Sequence, residues 1–277
     1  MTPNIEAPPD RVRISAAPRT APPPVDRLHG SAQDLLGLLG SPGHDPARER
    51  AIAVQFRRLP ARTVLFHEGT SAAAIHIVRT GTFKCYRTDA DGGERVIGFA
   101  RRGDVLGYGA LSLGRYPSAA AALEPSSVAV VPLADLFAWL QRLPALERAL
   151  HQALSLQHAR TEELSDVRAV VPAEVRLARF LLHWSHRMAI SGQSMHQLRL
   201  AMSRRDIARL LGVAHETVSR SFASLAARGC LAVTGRTVDI LDAAALLDAA
   251  RSPIALQQPS CKRDAAVKLL HCTPALS

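Results

Sequence analysis

Three polar side chains that could read DNA bases fall on one side of a helical pattern: Glu216, Ser219 and Arg220. The opposite side carries an apolar stripe made of Val218, Phe222 and Leu225. Arginine can donate two hydrogen bonds to guanine, glutamate can accept one from cytosine, and serine can serve either base. The simpler interpretation is an amphipathic helix in which Glu216 and Arg220 form a solvated pair four residues apart.

The preceding segment predicts a helix-turn-helix and so favours base reading. Ser203 followed by Asp206 is typical of a capping box at a helix start, and Gly212 is typical of a helix end. The apolar face of this first helix consists of Ile207, Leu210 and Leu211. In such a motif the first turns of the second helix enter the major groove, and Glu216 lies there.

A β-hairpin is predicted after the second helix. Residues Leu231–Leu241 alternate apolar and polar types around Gly235 and Arg236. A hairpin in this position is the wing of a winged helix, and Arg236 at its tip could reach a phosphate.

The rest of the chain divides into regions of different pattern. Residues 1–30 hold seven prolines and little apolar periodicity, which predicts a disordered leader. Residues 31–143 carry short β-type runs between turn signals, which is typical of an antiparallel β-barrel or roll. These runs are Thr63–Phe66, Ala74–Val78, Thr82–Tyr86, Arg95–Phe99 and Ser127–Val131. The predicted fold class is therefore α+β.

A long helix is predicted from Pro144 to about Val167, so that residues 144–168 link the roll to a winged helix-turn-helix domain at 169–247. Its apolar stripe consists of Leu146, Leu150, Ala153 and Leu154. The stripe could pack against a second copy of the chain or against its own domain, and spacing alone favours neither. Residues 248–277 form a tail to which the pattern assigns no role.

Charge and composition agree with a nucleic-acid partner. The chain carries 34 basic and 24 acidic residues, and between residues 168 and 242 there are eleven arginines and five acidic residues. Such a basic domain suits DNA, although it would also suit an anionic membrane surface. No apolar run approaches the roughly 18 residues that span a bilayer. Four scattered cysteines are typical of a reducing compartment, so we expect a cytoplasmic protein.

The order of β-roll, long helix and winged helix-turn-helix resembles the CRP/FNR superfamily of bacterial transcription regulators over about residues 50–245. The segments most similar to the FNR branch are Val64–Gly69, Ile77–Lys84, Glu94–Phe99, Gly103–Gly107, Tyr116–Ala120 and Glu216–Arg220. The last has the Glu-x-x-Ser-Arg form of that branch. The resemblance implies a homodimer that binds palindromic promoter sites and contacts RNA polymerase, and it assigns the helix at 144–167 to the dimer interface.

The chain departs from the family pattern at the cyclic-nucleotide site. Members that bind cyclic nucleotides use a glutamate for the ribose and an arginine for the cyclic phosphate. Tyr108 and Pro117 stand at these positions, and Arg115 lies two positions too early. Because a buried phosphate without a charge partner is strongly unfavourable, we expect no response to cyclic AMP.

A second departure concerns iron. FNR proteins hold a 4Fe–4S cluster with three cysteines near the N-terminus and one in the roll. The first 30 residues contain no cysteine, and Ala129 stands at the roll position. The cysteines present are scattered: Cys85, Cys230, Cys261 and Cys272. We therefore predict no cofactor, although the two cysteines of the tail could pair or bind a soft ion.

The third departure lies at the start of the reading helix. The family usually has Ser or Thr where Ala214 stands, and a lost N-cap hydroxyl weakens a helix by about 1 kcal/mol. His215 replaces an arginine of the cyclic-AMP receptor branch or a small apolar residue of the FNR branch. It could contact a base or a phosphate, or it could point to solvent.

We predict DNA contacts from eight residues: Ser203, Arg204, His215, Glu216, Thr217, Ser219, Arg220 and Arg236. Cys230 is a possible redox site, because Arg228 and Arg236 would favour its thiolate if the turn faces DNA. The alternative for Cys230 is a small apolar plug between helix and hairpin. No metal site is predicted, since His67, Glu68 and His76 have no further ligand at a matching spacing.

Two functions are compatible with these patterns. The first is a dimeric regulator that binds FNR-type palindromes without cyclic AMP or an iron–sulfur cluster. The alternative is a sensor whose roll binds an unassigned small molecule, or whose thiols respond to redox state, and thereby gates DNA binding. An enzyme is not predicted, because no Ser-His-Asp grouping, phosphate loop or paired carboxylates stand out.

Overall fold

An antiparallel β-roll of two sheets forms the first part of the molecule. The computed structural model describes residues 27–41, 52–167 and 171–251. The first sheet contains β1 (Arg27–Ser31), β2 (Ala53–Leu59), β4 (Ala74–Thr80), β7 (Val105–Leu106) and β9 (Ser126–Pro132), in the spatial order β1-β2-β9-β4-β7. The second contains β3 (Val64–Phe66), β5 (Phe83–Thr88), β6 (Glu94–Ala100) and β8 (Ala119–Ala122), in the order β3-β8-β5-β6.

Strand β4 shows why the roll has continuous apolar runs. Successive side chains of a strand point to opposite faces. Ile75 and Ile77 pack under the helices on the outer face of the first sheet, whereas Val78 packs in the cluster between the two sheets. Because both faces of this strand are covered, residues 74–78 are buried at every position rather than at alternate ones, and all of them except His76 are apolar.

Helices cover the outer face of the first sheet. They are α1 (Ala32–Leu38), α3 (Leu133–Arg142) and the first half of α4 (Pro144–Val167), while α2 (Ala110–Leu113) packs against the roll interior. The predicted helix at 144–167 is confirmed. Its stripe does not face outward, because Leu146 and Leu150 are buried against the roll and Ala153 and Leu154 are half-buried beside them. The assignment of this stripe to a dimer interface is therefore wrong.

A C-terminal domain (residues 171–251) follows α4. Its helices are α5 (Ala173–Ile190), α6 (Arg204–Leu211), α7 (His215–Ala227) and α8 (Ala243–Ala249). Its sheet has β12 (Thr237–Ile240) between β10 (Gln197–Arg199) and β11 (Leu231–Thr234), all antiparallel. The core is apolar and closed, with Phe180, Trp184, Ile207, Phe222 and Val238 each at most 2% exposed. Helices α6 and α7 confirm the predicted helix-turn-helix, and β11 with β12 confirms the predicted hairpin.

The C-terminal domain packs directly on the second sheet of the roll. Phe99 of β6 belongs to the same buried cluster as Trp184 of α5, and their ring centroids lie 6.1 Å apart. Arg209 of α6 pairs with Glu94 of β6 at 2.5 Å. This contact is both apolar and ionic, so the two domains form one packed unit.

A buried carboxylate, Asp104, joins the roll to both α4 and α5. One oxygen accepts a hydrogen bond from Arg160 of α4 at 2.9 Å, and the other accepts from Arg187 of α5. Arg187 also donates to the carbonyl of Phe99 at 2.9 Å. Burial, followed by the charge of Arg187, lowers the pKa of Arg160, but an arginine keeps its charge near neutral pH. We call Asp104, Arg160 and Arg187 the junction triad.

The five predicted strand runs of the roll are all strands, each within two residues of its predicted bounds. Strands β1, β2, β7 and β8 were not predicted. The prediction of a disordered leader is wrong for residues 27–30, because β1 pairs with β2 from Arg27 opposite Arg57 to Ser31 opposite Ala53. Residues 1–26 of the predicted leader and 252–277 of the predicted tail lie outside the described residues.

Candidate DNA interface

Local interactions fix both ends of α6 and thereby set the direction in which α7 follows. The Ser203 hydroxyl accepts from the backbone N–H of Asp206 at 3.1 Å, while the Asp206 carboxylate accepts from the backbone N–H of Ser203 at 3.0 Å. Burial opposes ionisation of Asp206, but the bonds from Ser203 and the charge of Lys84 outweigh it and lower the pKa of Asp206. The helix ends at Gly212, whose φ of 66° is left-handed and favours glycine.

Helix α7 presents the predicted reading residues on its open side. The side chain of Glu216 is 79% exposed, Arg220 is exposed and Ser219 is half-buried. The opposite side is closed, with Val218, Phe222 and Leu225 each at most 2% exposed. The predicted division of the two faces is confirmed, and the side chains that can read bases project from the first turns of the helix. Thr217 lies half-buried at the edge of this face.

The start of α7 has no side-chain cap, because Ala214 occupies the N-cap position. His215 is the first residue of the helix, and its side chain is 48% exposed. The imidazole is therefore open to solvent, beside the face that carries Glu216 and Arg220.

A groove of about 290 Å³ separates the start of α7 from the hairpin. Four of the predicted DNA-binding residues line it: Ser203, Arg204, His215 and Arg236. The guanidinium of Arg204 lies 4.9 Å from the centroid of the Phe222 ring, a cation–π contact that holds it in place. Arg236 donates to the carbonyl of Ala201 at 3.3 Å. These four residues were predicted separately from the sequence, and the fold places their side chains around the same groove.

Cys230 does not lie on this surface. Its side chain is 0% exposed and belongs to the core of the C-terminal domain. Arg228, which was expected to favour the thiolate, instead pairs with Glu174 at 2.6 Å. Because an oxidant must reach the sulfur, this burial favours the interpretation of Cys230 as a small apolar core residue.

His76, one of the three residues considered for a metal site, is a core residue. Burial, followed by the charge of Arg57, lowers the pKa of His76 to about 4, so the imidazole is neutral near pH 7. Glu68 accepts from the backbone N–H of Thr88 at 2.9 Å. Within residues 27–41, 52–167 and 171–251, no group of three His, Cys, Asp or Glu side chains could hold a metal ion.

A cavity of about 590 Å³ lies between the roll, α4 and α5. Tyr108 and Pro117 line it, and these are the positions at which the resemblance described above predicts a ribose-binding glutamate and a phosphate-binding arginine. Both arginines of its lining, Arg160 and Arg187, pair with Asp104. The size of the cavity suits a small molecule, but its arginines are already engaged by a carboxylate.

Two family models match the chain, a cyclic nucleotide-binding domain over residues 56–142 and a Crp-like helix-turn-helix domain over residues 175–249. The transcriptional activator protein anr of Pseudomonas aeruginosa is 33% identical over 186 residues, which cover 67% of this chain and 76% of that protein. The chain belongs to the CRP/FNR family.

Further relatives agree with the CRP/FNR assignment. The fumarate and nitrate reduction regulatory protein of Salmonella typhimurium is 34% identical over 182 residues, which cover 66% of this chain and 73% of that protein. The structure of FixK2 from Bradyrhizobium japonicum matches with a TM-score of 0.63 and 26% identity over 73% of this chain and 99% of that one.

As a CRP/FNR protein, the chain is a transcription regulator with a helix-turn-helix DNA-binding domain, and it is not an enzyme. The cyclic nucleotide-binding model covers most of the roll, including Tyr108 and Pro117. A helix long and apolar enough to cross a membrane is absent from the described part of the chain.

Proposed function

We propose that this regulator binds FNR-type palindromic promoter sites as a homodimer, without cyclic AMP and without an iron–sulfur cluster. The observation that carries the proposal is the placement of Glu216, Ser219 and Arg220 on the open side of α7, within its first turns. This set has the Glu-x-x-Ser-Arg form of the FNR branch, so we expect a site resembling TTGAT, about four spacer bases and ATCAA, with reading helices about 34 Å apart. Contacts to the DNA around these bases would come from Ser203, Arg204, His215, Thr217 and Arg236.

The direct test is binding of a palindromic duplex by the purified full chain with no effector added. Arg220→Ala or Glu216→Ala should lose roughly 1–3 kcal/mol of discrimination at one base pair of each half-site. Arg142→Ala is the control for Arg220→Ala, because it removes the same charge. Arg142 is exposed on α3, outside the C-terminal domain. Equal losses in Arg220→Ala and Arg142→Ala would contradict base reading by α7.

We place the dimer contact on the outward face of α4, because the apolar stripe on the other side of this helix is already covered by the chain's own roll. Leu156 on that outward face is 57% exposed. We assign Leu156 to the contact with a second copy of the same helix, because the family resemblance places this helix at the dimer interface. Leu156→Glu should shift the mass measured by light scattering from dimer to monomer. Leu113→Glu, at a leucine that is 58% exposed on α2, should leave the dimer intact.

Insensitivity to cyclic AMP is supported by the chemistry of the roll cavity. Tyr108 and Pro117 offer neither the carboxylate nor the cation that hold a cyclic nucleotide, and both nearby arginines are engaged by Asp104. Calorimetry should detect no binding. A dissociation constant in the micromolar range, about −8 kcal/mol, would contradict the proposal.

Absence of an iron–sulfur cluster is supported by Ala129, which is fully buried in the first sheet at the roll position of the fourth cysteine. Methyl groups cannot ligate iron, so the four converging thiolates that a cluster requires are not formed from this position. We also expect contact with RNA polymerase, as in the family, and a cytoplasmic location, because the proposed partner is chromosomal DNA.

A second function is favoured by the cavity itself. A space of about 590 Å³ beside the junction triad could hold an unassigned small molecule that gates DNA binding. Binding of promoter DNA by the purified chain without any addition favours the first function. Binding that appears only after a cell extract of small molecules is added would favour the second.

A further inference from the structure

The groove between α7 and the hairpin has a largely apolar wall, to which a few basic side chains are added. Arg204, Arg236 and His215 contribute basic groups, Ser203 contributes a hydroxyl, and the described lining contains no carboxylate. Its volume of about 290 Å³ lies at the lower limit for pockets that take small-molecule ligands, roughly 300–1,000 Å³. The space therefore suits one phosphodiester group better than a larger ligand.

The charges around His215 come from each element that borders the groove. Arg204 begins α6, Arg236 lies at the tip of the hairpin, and Glu216 follows His215 in α7. His215 Nδ1 lies 4.0 Å from Glu216 Oε1. An anion in the groove would favour a positive charge on the imidazole.

We infer that this groove holds one backbone phosphate of each half-site, and that His215 takes up one proton from solvent when the phosphate enters. The inference rests on the proposed DNA-binding function. A protonated imidazole donates from both ring nitrogens, the phosphodiester keeps its single negative charge, and each protomer gains one charge-assisted hydrogen bond. Arg204, already held over Phe222, and Arg236 supply the remaining donors to the phosphate oxygens.

Proton uptake on binding fixes the sign of the pH dependence. The additional affinity is present at low pH, and it is lost as pH rises and the imidazole of the complex releases its proton. An imidazole ordinarily changes charge between about pH 5 and pH 8. We therefore expect DNA binding to weaken several-fold per protomer between about pH 6 and about pH 8.

The test uses the full chain, a palindromic duplex and a phosphate-free buffer of constant ionic strength, with fluorescence anisotropy at both pH values. His215→Gln should bind less tightly at the lower pH and lose the pH dependence. His215→Arg should keep tight binding at both pH values, because its charge is permanent. His196→Gln is the matched control, since His196 is exposed in the same domain and outside the groove lining, and it should respond to pH as the parent does.

The salt dependence of DNA binding tests whether the groove holds a backbone phosphate. Arg236→Gln should reduce the slope of log Kd against log salt by about 1 per protomer. An unchanged slope, a parent protein whose affinity does not change with pH, or a His215→Gln variant that keeps the parent response would overturn the inference. Micromolar binding of inorganic phosphate without DNA would also overturn it, by assigning the groove to a free anion. Failure to bind any duplex at either pH would instead overturn the proposed function, so the two failures are distinguishable.

Discussion

Replacement of Asp104 by asparagine should weaken the contact between the two domains. The side chain of Asp104 is 6% exposed, and those of its partners Arg187 and Arg160 are 8% and 23% exposed. Asparagine keeps the size of the side chain but removes its charge, so the buried guanidinium of Arg187 and the half-buried one of Arg160 would lose their shared carboxylate. Breaking a buried pair in this way costs about 3–5 kcal/mol, because little solvent is present to screen the remaining charges. We expect the free energy of unfolding to fall by that amount.

The loss can be followed by fluorescence of Trp184 during urea unfolding. The Trp184 ring lies 5.5 Å from the guanidinium carbon of Arg187 and contacts Phe99 of the roll, so it reports on the contact between the domains. A Trp139→Phe background removes the second of the two tryptophans. A double-mutant cycle that combines Asp104→Asn with Arg187→Gln then gives the coupling energy of the pair.

Asp89→Asn is the matched control for this measurement. Asp89 pairs with Arg95 at 3.6 Å, but their side chains are 53% and 59% exposed. An exposed pair contributes about 0–1 kcal/mol. If Asp104→Asn and Asp89→Asn lower the free energy of unfolding equally, the junction triad does not stabilise the contact between the domains, and the reasoning is refuted.

Three further predictions concern single sites. Gly81→Ala should destabilise the fold by more than about 1 kcal/mol, because φ at Gly81 is 83° and the new methyl group would overlap the hydroxyl of Ser126. Gly92→Ala is the control, because φ at Gly92 is 74° but the space around it is open. Equal denaturation midpoints for the two variants would contradict the overlap. Iodoacetamide at pH 8 should leave Cys85 and Cys230 unmodified until denaturant is added. Cys85 is half-buried, but loss of solvation raises its pKa to about 12 and leaves almost no thiolate at pH 8, while Cys230 is fully buried; mass spectrometry would detect any exception. The buried imidazole of His76, whose pKa is lowered to about 4, is neutral in the folded state, so stability should fall by about 3 kcal/mol as pH drops from about 6.5 to 4. His76→Phe should remove that part of the acid sensitivity, and an unchanged pH profile of unfolding would contradict it.

The reading motif could be predicted from sequence because its determinants are local. A capping box needs only Ser203 and Asp206 at a spacing of three, and a left-handed helix end needs only Gly212. The two faces of α7 follow from the helical period. Each of these signals lies within a few residues of the structure that it determines, so no long-range information was required.

The missed strands depend on partners far away in the chain. Strand β8 consists of four alanines, a residue type that favours helices, yet all four are buried between β3 and β5. Long-range pairing overrides the local preference there. The surface that covers the stripe on α4 could not be predicted for the same reason. Periodicity shows that Leu146 and Leu150 are buried, but it does not show against which surface.

The junction triad could not be predicted from spacing. Asp104 and Arg187 are separated by 83 positions, so no local period relates them. Charged residues in a sequence are usually solvated, and only the packing of α5 on the roll shows that this pair is buried. The groove beside His215 could not be predicted from spacing either, because its lining comes from α6, α7 and the hairpin.

Selection from random duplex DNA with the purified full chain tests the central claim most directly. Because two copies of α7 would present Glu216, Ser219 and Arg220 to successive major grooves, we expect enrichment of an inverted repeat close to TTGAT and ATCAA, with half-sites about 34 Å apart. The enrichment should appear without cyclic AMP or iron. In Arg220→Ala the preference should relax at one base pair of each half-site, whereas Arg142→Ala should keep the preference of the parent. Enrichment of an unrelated or non-palindromic sequence, or the same sequence from Arg220→Ala, would contradict FNR-type base reading by α7.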